Sequence, residues 1–368
     1  MNDTLPTVWP ADAHTLAKHK ILIQYLCAWM PIMTNRFQRG PLRYIDAFAG
    51  PGSYTDGSPG SPIVALNVAL GWQRPFARPI DATFVEQRAD RHALLTDALR
   101  RLADEHGRSP NVRWQEPVLG DGETVLRQML NKRPFGPALV FLDQFGYSQV
   151  SMDLIGEIIR CQSSEVFAFL NWRDMNRWMN DPNKAPGITR AFGGDEWRTV
   201  FDLPESKRQS GMLAAYETAL EKKAGVRYRC RFDMRDKNDK LLYWLFFCSN
   251  SLRGLEEMKK AMWKVDDTGQ FHFSDRHVGQ PSLLQGFTQE WLAGALLDEF
   301  DGQDLTVRAI FEHVLVHTPC YQYNSALGHL EKSGDAEMVN APEKRRRGSF
   351  AKYLDDENVR VRFAKKQP

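Results

Sequence analysis

From Leu42 onward, short apolar runs alternate with longer segments in which apolar positions recur at helical spacing. The short runs are Tyr44 to Phe48, Ala82 to Glu86, Val112 to Glu116, Ala138 to Asp143 and Glu165 to Asn171, most of them rich in Val, Ile, Phe or Leu. That composition suits strands buried on both faces. Helical segments lie between most of them, at Pro62 to Leu70, Arg88 to Glu105, Glu123 to Asn131 and Met152 to Cys161. The alternation predicts an α/β fold with a doubly wound, mostly parallel sheet.

Upstream, Ile21, Tyr25 and Ala28 fall on one face of a helix that Pro31 is expected to end. The apolar run from Ile21 to Met33 is shorter than the ~20 residues that span a bilayer, so it belongs to the fold and no membrane segment is expected. After Asn171 the pattern gives way to a Trp-, Arg- and Asn-rich stretch, a helical insertion at about 172–227. A hairpin follows, with strands Tyr228 to Arg235 and Leu241 to Cys248, and then a helix from Leu255 to Val265. Helices around Trp291 to Phe300, Val307 to Val316 and Tyr323 to Ser333 precede two short strands, Ala336 to Asn340 and Gly348 to Lys352, joined by a basic loop. Three helices and a hairpin are the order of a winged-helix module. The expected organisation is therefore one α/β domain over 1–287 and a winged-helix-like α+β domain over 288–368.

Charge changes this picture only locally. The whole chain carries 48 Lys and Arg against 46 Asp and Glu, too even a balance to steer a polyanion. From Glu343 to Pro368, however, nine Lys and Arg stand against four acids, so positive charge is concentrated at this end. The five cysteines are widely spread and lack the close spacing of a zinc or redox motif, which reads as reduced thiols in the cytoplasm. No metal is expected, since His and acids show no ligand spacing.

The segment Tyr44-Ile45-Asp46-Ala47-Phe48-Ala49-Gly50-Pro51-Gly52 carries an acid on a buried strand into a glycine turn. In doubly wound sheets such a turn lets the backbone approach a cofactor at the carboxyl edge of the first strand. Asp46, Phe48, Ala49, Gly50 and Gly52 are the candidates there, although a plain strand-to-loop connection uses the same residues. Glu86 ends the next strand and can accept hydrogen bonds from both hydroxyls of a ribose. It lies 40 residues after Asp46, about twice the usual interval, and the loop Gly57 to Pro62 explains the excess. Pro51 removes a backbone donor that a pyrophosphate would use, and no basic residue accompanies the turn. A cofactor with a ribose and no phosphate fits better, and S-adenosylmethionine is of that kind. Asp46 would face its ammonium end, Glu86 its ribose, and Asp121 its adenine, although Asp121 also reads as a helix cap before Glu123.

Asp143 ends the fourth predicted strand and is followed by Phe145 and Tyr147. An acid followed by aromatics suits chemistry on a flat base, with the carboxylate accepting from an exocyclic amine and a ring stacking on the base. A strand cap with core aromatics is the equally weighted alternative. Lys18 and His19 are further catalytic candidates, able to orient a substrate or move a proton. Asn171 and Arg173 follow the fifth strand and can bind a substrate's polar edge, or satisfy backbone groups where the chain leaves the sheet. Lys344, Arg345, Arg346 and Arg347 lie in the predicted wing, where they would neutralise nucleic-acid phosphates.

Taken together, these residues resemble the three-Cys-motif partner (TcmP) proteins. The resemblance rests on Lys18-His19-Lys20-Ile21-Leu22 with Tyr25-Leu26 and Trp29, on Tyr44 to Gly60 with Ser61-Pro62, and on Phe84-Val85-Glu86. It continues through Phe141-Leu142-Asp143 with Phe145-Gly146, Gly254-Leu255 with Met258-Lys259, and Met262-Trp263-Lys264. It implies a class I, Rossmann-like methyltransferase domain. It also implies a partnership with a separate protein carrying three cysteines, of the iron-sulfur, radical type. The family's Asp-Pro-Phe-Gly sequence has Gln144 in place of proline here. Two expectations follow: an S-adenosylmethionine-dependent methyltransferase acting on a nucleic-acid base or nucleotide-like substrate, or a non-catalytic module that presents a substrate to the three-cysteine partner.

Overall fold

A computed structural model describes residues 6–132, 134–144, 146–266, 268–274, 287–342 and 344–365. The chain divides into two compact units, Met1–Val265 with His272–Val278 and Asp266–Phe271 with Gly279–Pro368.

The described residues of the first unit form a sheet of nine strands: β1 (Arg43–Asp46), β2 (Ile80–Glu86), β3 (Val112–Trp114), β4 (Val118–Leu119), β5 (Ala138–Leu142), β6 (Glu165–Leu170), β7 (Tyr228–Arg235), β8 (Leu241–Ser249) and β9 (His272–Ser274). They lie in the order β3-β2-β1-β5-β6-β8-β7-β9, with β4 also paired to β2. The pairs from β3 to β6 are parallel, and β8 runs antiparallel to both neighbours. β5 is buried at every position, as a central strand covered on both faces must be. The helices are α1 (Ala13–Arg36), α2 (Ser61–Leu70), α3 (Ala89–His106), α4 (Gly122–Asn131), α5 (Met152–Ile159), α6 (Trp172–Trp178), α7 (Ala185–Phe192), α8 (Glu205–Lys222) and α9 (Leu252–Trp263). The first three strands are laid down in one direction from β1 and the later ones in the other, so the order reverses between β1 and β5. This is a doubly wound, mostly parallel sheet, and such sheets bind ligands at that reversal.

Two elements depart from the sequence reading. α1 does not end near Pro31 but continues to Arg36. Proline removes one helical hydrogen bond, and the burial of Met33 and Thr34 beyond it keeps the last turn in place. The predicted strand Val112 to Glu116 is shorter and is followed by the separate strand β4. Pro117 stands between them; it has no N–H to give a ladder, and its carbonyl is hydrogen-bonded to His92 Nε2 at 2.8 Å.

α1 is fastened to the sheet at two levels. Tyr25 Oη donates to Glu165 Oε2 at 2.6 Å, and Ser249 Oγ donates to Glu165 Oε1 at 2.8 Å. Burial pushes the Glu165 carboxyl above its ordinary pKa, against the hydrogen bonds from Tyr25 and Ser249. Two helical turns earlier, Lys18 reaches Asp143.

The second unit contains α10 (Gln289–Glu299), β10 (Asp304–Thr306), α11 (Val307–His317), α12 (Tyr323–Ser333), β11 (Ala336–Val339) and β12 (Arg360–Phe363). Its three strands form an antiparallel sheet in the order β10-β12-β11. Leu292, Ile310, Val314, Leu327, Phe350 and Val361 are buried at its centre. The partner of β11 is β12, not the predicted strand Gly348 to Lys352. Phe350 to Tyr353 instead makes a short 3-10 turn, because Phe350 is drawn fully into the core. The alternating burial of Arg360–Phe363 marks the true strand, which lies between β10 and β11.

Candidate functional site

The site begins where β1 ends. Asp46 is in register with Phe84 of β2 and Phe141 of β5, and Glu86 and Asp143 lie two residues beyond those partners, one on each side. Three adjacent strand ends thus each contribute a carboxylate at the point where the sheet order reverses. Asp46 is fully buried. Its Oδ2 accepts from Ser61 Oγ at 2.6 Å and its Oδ1 from the Phe48 N–H at 3.2 Å. Burial pushes its pKa up to about 7, against those two hydrogen bonds, with Asp143 adding to the rise and Lys18 opposing it.

The turn that follows is held by its own backbone. The Ala49 N–H donates to the Val85 carbonyl at 2.9 Å and the Gly60 N–H to the Gly52 carbonyl at 2.8 Å. Gly50 and Gly52 have φ of +65° and +83°, a region that side chains other than glycine rarely adopt. Glu86 accepts from the Gly50 N–H at 2.9 Å and from the Arg88 N–H at 2.7 Å. Asp46 therefore fixes the turn from beneath and Glu86 from beside it. Phe48 is half-buried against the core and Ala49 is buried.

Asp121 caps α4, accepting from the Thr124 N–H at 2.9 Å and Thr124 Oγ1 at 2.8 Å. The next residue, Gly122, lies so near the turn that a Cβ there would be 2.4 Å from the Ala47 carbonyl oxygen. Two residues missed by the sequence reading stand beside these acids. Val118 and Leu119 are 38% and 53% exposed, and Leu119 is in register with Glu86. An apolar pair left open between Pro117 and Gly120 was the available signal.

Beyond Asp143 opens a cleft of about 550 Å³. Lys18 is buried and makes an ion pair with Asp143 at the cleft's edge. His19 is also buried, and burial lowers its pKa to about 3, with Lys18 adding to the effect, so it is neutral at physiological pH. Gln144 holds the loop after β5. Its Oε1 accepts from the Gln149 and Val150 N–H groups at 2.8 and 3.0 Å, and its Nε2 donates to the Phe169 carbonyl at 3.2 Å. The rigidity that a proline would give this loop is supplied here by side-chain hydrogen bonds.

One wall of the cleft carries Phe169 and Tyr243, with ring centroids 4.4 Å apart. Trp9 and Tyr54 also line it, in edge contact at 5.9 Å. The Arg91 guanidinium lies 4.6 Å over the Trp9 ring, and the Thr55 N–H donates to the Trp9 carbonyl at 3.1 Å. The sequence reading missed these aromatics, because segments far apart in the chain, from Trp9 to Tyr243, bring them together.

Asn171 and Arg173 line the same cleft. Asn171 caps α6, accepting from the Asp174 N–H at 3.0 Å and donating to Asp174 Oδ2 at 2.8 Å, while Arg173 is exposed. Tyr147 is in the hydrophobic core, its hydroxyl 3.5 Å from the Lys184 carbonyl, and is not among the described residues lining the cleft. Apolar neighbours drew this ring inward. Phe145 lies outside the described residues. In the second unit, Lys344, Arg346 and Arg347 are exposed, whereas Arg345 is not presented to solvent: it pairs with Glu331 and lies over Phe350. Among the described residues no group of three or more His, Cys, Asp or Glu is placed to hold a metal ion, and no helix is long and apolar enough to cross a membrane.

No family model and no curated protein matches the chain. Among solved structures, the chain is similar to TYW2 of M. jannaschii in complex with AdoMet, at 8% identity over 65% of this chain and 76% of that one, with a TM-score of 0.31. It is also similar to a geranyl diphosphate methyltransferase in complex with GPP and sinefungin, at 13% identity over 64% and 78%, TM-score 0.29. An O-methyltransferase from Bacillus cereus in complex with SAH matches at 10% identity over 65% and 82%, TM-score 0.30.

Proposed function

We propose that this chain is an S-adenosylmethionine-dependent methyltransferase whose acceptor is a nucleic-acid base or a similarly flat, nucleotide-like ring. The observation that carries the reading is the row of three carboxylates, Glu86, Asp46 and Asp143, on adjacent strand ends beside a glycine turn; of the three, Asp143 lines the aromatic cleft, while Asp46 and Glu86 are buried behind the turn.

The residues fit a sulfonium nucleoside. Gly50 and Gly52 leave the turn without side chains, no Lys or Arg stands between Arg43 and Arg74 to neutralise a phosphate, and Glu86, which already accepts from the Gly50 and Arg88 N–H groups, would give its remaining lone pairs to ribose hydroxyls. Val118 and Leu119 offer an apolar seat for adenine beside Asp121. When bound, the cofactor supplies an electrophilic methyl group. Asp143 accepts a hydrogen bond from the acceptor's exocyclic amine, and Lys18 orients that carboxylate. Phe169 and Tyr243 stack on the ring, an interaction of about 1–3 kcal/mol per base.

A second reading starts from the same ion pair. Lys18 already occupies Asp143, which favours a non-catalytic module that presents a substrate to a three-cysteine, radical-type partner. Two measurements separate the readings. Calorimetry with S-adenosylhomocysteine is expected to show binding that Glu86→Ala weakens about tenfold or more, since a hydrogen bond to a charged group is worth ~1.5–3 kcal/mol. Absence of binding to the folded wild-type chain overturns the cofactor site. Transfer of a labelled methyl group to RNA, DNA or nucleosides, lost in Asp143→Ala, establishes the enzyme; cofactor binding without any transfer leaves the presenting module.

A further inference from the structure

The second unit carries a surface that the methyl-transfer reading does not use. α12 follows α11 through the turn at 318–322, and the loop residues 344–349 return along α12. Three residues on one stripe of α12, Asn324, Gly328 and Glu331, hold that loop. Asn324 Nδ2 donates to the Gly348 carbonyl at 3.1 Å, and the Ala351 N–H donates to Asn324 Oδ1 at 2.9 Å. The Gly348 N–H donates to Glu331 Oε2 at 2.8 Å, and Arg345 pairs with the same carboxylate. At Gly328 the absence of a side chain lets Gly348 pass, its Cα 3.6 Å from where a Cβ would stand.

The brace has an electrostatic consequence. Arg345 cancels Glu331, the acid on this stripe, while Lys344, Arg346 and Arg347 stay exposed with no ion-pair partner among the described residues. The neighbouring stripe of α12, Ser325, His329 and Lys332, is exposed as well. The acids further along, at Asp355, Asp356 and Glu357, gather instead around Arg308 and Arg360.

We infer that this surface binds double-helical DNA, with the Ser325-His329-Lys332 stripe of α12 in the major groove and Lys344, Arg346 and Arg347 on the flanking phosphates. A second helix presented after a turn is the geometry by which helix-turn-helix proteins read duplexes. A helix about 10–12 Å across fits the B-form major groove of about 12 Å, whereas the A-form major groove of RNA is too narrow to admit it. Stripe and loop carry no exposed Phe, Tyr or Trp, which a single-strand binder would use as stacking platforms.

The test uses the full chain without cofactor, so failure of the methyl-transfer reading does not affect it. Fluorescence anisotropy is measured with a mixed-sequence duplex DNA, the RNA duplex of the same sequence and the single strand, each across a salt series. Duplex DNA is expected to bind most tightly, with log K falling against log salt at a slope of about −3 to −4. The variant Lys344→Ala/Arg346→Ala/Arg347→Ala is expected to flatten that slope by about 3, since each phosphate contact accounts for about 1. His329→Ala is expected to lower duplex affinity, while Lys207→Ala/Lys237→Ala, exposed lysines of the first unit, leaves it unchanged. These exposed substitutions keep the fold, which circular dichroism checks. No duplex binding at low salt, a slope untouched by the triple variant, or RNA or single-strand binding as tight as duplex DNA overturns the inference.

Discussion

The ammonium of Lys18, in the second turn of α1, is ion-paired with the carboxylate of Asp143, which directly follows β5, 125 positions later. The pair brings the first helix to the carboxyl edge of the sheet beside the buried Asp46. It makes α1 part of the site and not only a covering element.

Lys18→Met should therefore abolish methyl transfer while leaving a folded protein. Removing one member of a buried pair strands the other, at a cost of about 3–5 kcal/mol in full burial; Asp143 is partly exposed, so a loss of about 1–3 kcal/mol in denaturant unfolding is expected. Asp143→Asn alone should cost at least as much, because it leaves the more deeply buried Lys18 ammonium without its counter-charge, and the double variant should recover part of the loss. Strict additivity in that cycle is the result that speaks against the pairing.

Asp46 and His19 give opposite pH dependences. Asp46 has a folded pKa of about 7 against about 3.9 unfolded, so the folded state binds the extra proton and this group lowers stability as pH rises from about 4 to 7. His19 has a folded pKa of about 3 against about 6.5 unfolded. Its contribution is present above pH 6.5 and is lost as pH falls towards 3. Urea unfolding across pH 4 to 8 should show Asp46→Asn relatively more stable at pH 8 than at pH 5, and His19→Gln relatively more stable at pH 4 than at pH 7. An unchanged profile in either variant contradicts the burial that sets these pKa values.

Gly122→Ala places a methyl group against the Ala47 carbonyl oxygen. The contact is with backbone, so α4 or the turn after β1 must move. A stability loss of about 1–3 kcal/mol and weaker S-adenosylhomocysteine binding are expected together. Gly146→Ala, where nothing stands within 4 Å of the new Cβ but φ is +96°, should cost only the backbone strain of about 1–2 kcal/mol.

Gln144→Ala leaves the Gln149 and Val150 N–H groups without their acceptor. The Val150 N–H is buried, and leaving such a group without its acceptor costs about 1–3 kcal/mol. Hydrogen exchange should become faster specifically in residues 146–150, and methyl transfer should fall more than cofactor binding does. Exchange that stays as slow as in the wild type would show that the loop is held by other means.

The parallel strands and their crossover helices were legible because burial on both faces writes itself as compact apolar runs, as in Ala138–Leu142. Long-range arrangement was less so. Nothing in the sequence near Lys18 announces that its partner is Asp143, and the aromatic cleft assembles from Trp9, Tyr54, Phe169 and Tyr243, which share no local pattern. Pro31 misled because its local cost is outweighed by the burial of the turn beyond it. The strand at Arg360–Phe363 was hidden by its arginines: Arg362 pairs with Asp304 and Glu337, and Arg360 donates to the Asp304 carbonyl, while Phe350, a good strand residue, is used as a core plug.

The double fastening of α1 bears on how the chain reaches its native state. The helix is synthesised before its polar anchors, Asp143 and Glu165, which are made 125 and 140 residues later. Until then Lys18 and Tyr25 have no seat, and the apolar flank of the helix stays open to solvent. Contacts so distant along the chain slow folding and expose intermediates to aggregation, so α1 is a segment in need of chaperone protection during synthesis.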